Sequence, residues 1–144
     1  MMGHSRRVDT VLGTVSYLES AVFLVAAELH SGVAIPIGSR IWAWTHVSAA
    51  ALPEVLCAGL FAASGYNLLA RRHNAHDVAI AAHALGLLGL VLSLAALMGS
   101  SGPRPASDAL LHLWMLPLVA ITLIATWLDR PRFTLRQYRL LPVA

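Results

Sequence analysis

The stretch VAIAAHALGLLGLVLSLAALM, residues Val78 to Met98, decides the fold: 21 residues interrupted only by His83 and Ser93. About 20 predominantly apolar residues are needed for a helix to cross the hydrocarbon core of a bilayer. Working outward, three more stretches meet that length. They run from Thr10 to Leu29, from Trp42 to Leu69 and from Ala109 to Leu128. The second and fourth carry Pro53 and Pro117, which helices in lipid tolerate when neighbours re-satisfy the backbone. The intervening connections of about 12, 8 and 10 residues predict an up-down antiparallel bundle. The expected fold is an all-α integral membrane four-helix bundle, with residues 1–144 forming one domain.

Composition agrees. Apolar residues make up 58% of the 144-residue chain and charged residues 12%, against roughly a quarter charged in soluble domains. Mean hydropathy is +0.69. All ten basic residues are arginines, and they are placed unevenly. Arg6 and Arg7, Arg71 and Arg72, and Arg130, Arg132, Arg136 and Arg139 flank one side of the bundle; only Arg40 and Arg104 flank the other. The positive-inside rule then puts both termini in the cytoplasm, as in a multi-pass protein of a bacterial-type inner membrane. Arginines so placed read as membrane anchors, and no nucleic-acid partner is expected. The first apolar run contains Glu19 and Glu28 and no clear small-residue cleavage site, so it is expected to remain as an uncleaved helix. The single cysteine, Cys57, leaves neither a disulfide framework nor a cysteine metal site.

Ionisable side chains inside the spans cost about 2.5–3.5 kcal/mol each at a helix centre, so they are expected to face the bundle interior and mark function. Glu19 and His30 are eleven residues apart, which places them within about 20° of each other on the first helix. On the second helix Glu54 follows His46 by eight residues, about 12 Å deeper. Asp108, His112, Met115, Val119, Thr122 and Thr126 form one partly polar face of the fourth helix. These positions predict an outer cluster of His30, His46, Asp108 and His112, with Glu19 and Glu54 in a deeper layer. His83 stands apart near the cytoplasmic face, in line with His76. Simpler readings stay open: an interfacial role for His30 or His83, and helix capping by Asp108.

Facing imidazoles suit haem or a metal ion. His30, His46 and His112 with a carboxylate such as Asp108 would form a plausible shell for zinc or non-haem iron. No Cys-x-x-Cys-His, His-Glu-x-x-His or Gly-x-Ser-x-Gly motif is present, which leaves cysteine-attached haem, zincin and serine-hydrolase chemistry without support.

The run Gly38-Ser39-Arg40-Ile41-Trp42-Ala43-Trp44-Thr45-His46, with Ala50 four residues on, resembles the start of the second helix in styrene oxide isomerase. Asp108, Leu113 and Pro117, behind a turn at Ser101 to Pro103, resemble that family's fourth helix. The resemblance implies a trimer binding haem b, with His46 as axial ligand and Trp42 and His112 beside the cofactor. It further implies Lewis-acid opening of a small apolar epoxide to a carbonyl product. The sequence departs from the family at its reactive-site polar positions, which correspond to Leu52, about Leu88 and about Ala96. Glu54, Glu19 or His112 would then supply the catalytic polar contacts. Two alternatives come from the residues themselves. One is an acid–base enzyme without haem, using Glu54 or Glu19 with a histidine. The other is a non-catalytic accessory subunit packed through Gly59, Gly65, Gly86 and Gly89.

Overall fold

The computed structural model describes residues 2–44, 48–99 and 106–130. Four helices dominate it: α1 (Met2–His30), α2 (Ser48–Leu69), α3 (Ala75–Gly99) and α4 (Ala106–Asp129). Each is long and apolar enough to cross a membrane. Each helix packs on the next in sequence, α1 most extensively on α2, and α4 closes weakly against α1. Large apolar side chains cover the outside of the bundle, among them Leu18, Leu56, Leu92, Ile121 and Trp127. Such a surface suits lipid, where no water competes for backbone groups and every helix satisfies its own.

The expected helix boundaries change at the starts of α2 and α1. Trp42, expected to open the second span, ends a hairpin instead: β1 (Ile35–Ile37) pairs antiparallel with β2 (Arg40–Trp42), Ile37 opposite Arg40. Its two-residue turn has Gly38 at φ +61° while Ser39 keeps a negative φ. That combination is a type II′ turn, whose twist matches paired strands and whose first position favours glycine. Helix α2 therefore starts at Ser48, and Glu54 lies only six residues inside it. Helix α1 instead runs longer than its apolar stretch, carried through the polar Arg6 to Thr10 segment; Thr10 Oγ1 donates to the Arg6 carbonyl at 2.8 Å. It ends in a Schellman arrangement: Val33 N–H bonds the Glu28 carbonyl around Gly32, whose φ is +86°.

Helices α1 and α2 approach each other closely at Gly13 and Gly65. A Cβ on Gly65 would lie 2.9 Å from the Gly13 carbonyl oxygen and 2.8 Å from the Tyr17 ring. Close approach of backbones through small residues is how helices associate in lipid. Elsewhere the interior alternates. One apolar cluster joins Phe23, Cys57, Ala58, Phe61, Leu90, Met115 and Val119, and a second joins Leu12, Leu68, Ala75 and Ala79. Buried polar side chains fill the levels between and beyond them.

Candidate functional site

Among the described residues, three carboxylate–imidazole groupings occur at three depths. The central one is sealed: Glu19 and His83 are both fully buried, and Glu19 Oε2 lies 2.8 Å from His83 Nε2. His83 Nδ1 is 2.7 Å from the Ala79 carbonyl oxygen, which only accepts, so Nδ1 carries a proton. One further proton is then shared between Nε2 and Oε2, and wherever it rests the pair has no net charge. The hydroxyl of Thr122 donates to Glu19 Oε1 at 2.9 Å, alternating with its own Leu118 carbonyl at 3.0 Å. A carboxyl on α1 thus ties α3 and α4 together across the bundle, and both its oxygens have protein partners.

The second grouping lies at the hairpin end, about 16 Å along α1 by helical rise. Here His30, the last residue of α1, places Nδ1 2.8 Å from Glu54 Oε2, with both side chains 3% exposed. The Trp44 ring lies 4.7 Å from the His30 ring and brings the chain after the hairpin back over this pair. Glu54 differs from Glu19 in one respect. Its Oε1 is buried and has no hydrogen-bond partner among the described residues. An unpaired buried oxygen costs free energy, about 1–3 kcal/mol, and native structures hold few of them. His112 is also buried, on α4, at a similar number of turns from the same end.

Between these levels sits the first apolar cluster. Phe61 packs on His83 at 4.9 Å between ring centroids and on Phe23 at 5.4 Å. A Cβ at Gly86 would overlap the Phe61 ring, so the glycine makes room for it. The third grouping, Asp9, His76 and Asp129, lies at the opposite end, beyond the second apolar cluster.

No family model, curated protein or solved structure matches this chain. The styrene oxide isomerase resemblance therefore rests on Gly38 to His46 and Asp108 to Pro117 alone, without family support.

Of the residues singled out by sequence, Glu19, His30, Glu54 and His112 are all buried. The two glutamates do not form one layer. The late start of α2 raises Glu54 to the level of His30, while Glu19 stays deeper with His83. Trp42 lies on β2, half exposed and outside both pairs. His46 and the side chain of Asp108 lie outside the described residues. The partner missed by the sequence reading is His83, expected to stand apart near one face and found fully buried on Glu19. The available signal was its spacing of seven from His76, which puts both on one face of α3. Nothing in the sequence tells how that face is turned toward α1.

Proposed function

We propose that this chain is a multi-pass membrane enzyme that performs acid–base chemistry on a small apolar substrate, with Glu54 and His30 as the reacting pair. The observation that carries the reading is Glu54 Oε1, buried beside a proton-sharing carboxyl–imidazole contact and without a hydrogen-bond partner among the described residues. A general acid or base must reach the substrate proton at hydrogen-bond distance, and Oε1 is the atom available for that. Oε2 and His30 Nδ1 then act as the reservoir: as Oε1 gives or takes a proton, the shared proton between them moves the opposite way. The apolar walls exclude water and leave lipid as the route for an apolar substrate. Glu19, with every atom engaged, holds the helices in place below.

Small apolar epoxides are the substrate class favoured by the resemblance: a neutral carboxyl would protonate the epoxide oxygen as the C–O bond breaks, a 1,2-hydride shift would form the carbonyl, and the oxygen-bound proton would return to the carboxylate, with no net redox change. Membranes containing the chain, fed styrene oxide, should yield the aldehyde measured by gas chromatography. Glu54→Gln should lower that yield by about a hundredfold or more while the protein stays folded. Undiminished turnover in the variant would remove Glu54 from the chemistry.

A second reading keeps haem b. His30 and His112 are buried at the end toward which Trp44 leads the chain, two residues before His46. The first apolar cluster fills the bundle below them, so a porphyrin would lie at the rim or between copies of a trimer, held by His46 with His112. When bound it would supply a Lewis acid for the epoxide oxygen. Purified protein should then show a Soret band that His46→Ala removes, and a colourless preparation would leave the carboxyl mechanism alone.

A further inference from the structure

At the end of the bundle that carries the helix termini, three helices each place one ligand-type side chain at the same point. Asp9 comes from α1, His76 from the first turn of α3, and Asp129 from the last residue of α4. Their donor atoms all lie within 4.8 Å of one another. His76 Nε2 is 3.5 Å from Asp9 Oδ1 and 3.5 Å from Asp129 Oδ2. Neither distance is that of a good N–H···O bond, which is about 2.9 Å. A single imidazole proton also cannot serve two carboxylates well, and the two carboxylates repel each other. Asp9 Oδ1 is moreover buried without a hydrogen-bond partner.

A cation at the centre resolves all three features. Ligand atoms held tetrahedrally about 2.0–2.1 Å from zinc are separated by roughly 3.4 Å, close to the two 3.5 Å spacings between His76 and the carboxylates. One imidazole and two carboxylates are donors for a divalent transition ion, and they leave a fourth position for water. Of the nearby arginines, Arg130 is engaged with Asp77 at 2.9 Å, while Arg71 acts on Asp9 through its charge. We propose that Asp9, His76 and Asp129 form a binding site for a divalent transition-metal ion, separate from the Glu54–His30 pair, that clamps α1, α3 and α4 together.

Isothermal titration of the metal-stripped full-length protein in detergent with Zn²⁺ tests this. Wild type should bind one ion, and Co²⁺ in its place should give the visible absorption of a tetrahedral complex. Asp129→Asn and His76→Gln should each weaken Zn²⁺ binding by about a hundredfold or more, since loss of even an outer-shell partner of a ligand costs about 10–100-fold. His73→Ala, in the exposed α2–α3 turn, should bind as wild type does. Zn²⁺ should raise the melting temperature of wild type and not of His76→Gln. Failure of wild type to bind saturably would overturn the site, and so would loss of binding in His73→Ala with retention in His76→Gln.

Discussion

A glutamine at position 19 can donate its amide N–H to His83 Nε2 and accept from Thr122 Oγ1, so it copies the form of the pair in which the carboxyl holds the proton. An alanine cannot, and it leaves a buried imidazole nitrogen without its partner. Removing one member of a buried pair costs about 3–5 kcal/mol. Thermal melts in detergent should therefore place Glu19→Ala far below wild type and Glu19→Gln much nearer to it; equal losses would mean that the hydrogen bonds at this level hold nothing together. Glu54→Gln should likewise spare stability, but it should cut turnover by about a hundredfold or more. The two glutamates look alike in the sequence, each an acidic residue in an apolar run. What separates them is whether the second carboxyl oxygen meets a hydroxyl from α4, a fact of side-chain rotation across some hundred residues that spacing along one helix does not encode.

At the scale of the helices, α3 was readable almost to its ends, because 21 apolar residues admit few alternatives. The start of α2 was not. The expected span took in Trp42, whereas the short runs Ile35–Ile37 and Arg40–Trp42 around Gly38-Ser39 are a hairpin signal. Pairing between the two short runs decided it. Packing between elements gives a second contrast. At Gly65 a methyl group meets the backbone of α1, which cannot yield without the helices separating, whereas a Cβ at Gly59 meets nothing within 4 Å. Gly65→Ala should lower stability by about 1–3 kcal/mol. Gly59→Ala should leave it unchanged or raise it by up to about 1 kcal/mol through helix propensity. Melting curves of the two variants check both expectations, and a harmless Gly65→Ala would mean that the crossing is looser than described.

The arginine asymmetry makes a prediction for the whole molecule. With Cys57 replaced by serine, a cysteine at Ser39 should react with an impermeant maleimide added to intact cells. A cysteine at His73 should react only after the membrane is opened. The reverse pattern would invert the orientation. Bundle class and the inward turn of most ionisable residues were legible because lipid penalises every alternative. The vertical order of polar and apolar levels was not, since it depends on the relative heights of four helices, and the hairpin shifts one of them.

That stacking has a consequence for the cell that houses the chain. Proton hopping requires an unbroken file of hydrogen-bonding groups, and the rings of Phe23 and Phe61 with Leu90 and Val119 interrupt it midway. Acidic and basic groups at several depths should thus not open a path for protons across a bilayer. Liposomes carrying the protein should hold an imposed pH difference as long as empty ones, and replacing Phe61 with a small polar residue should make them leak.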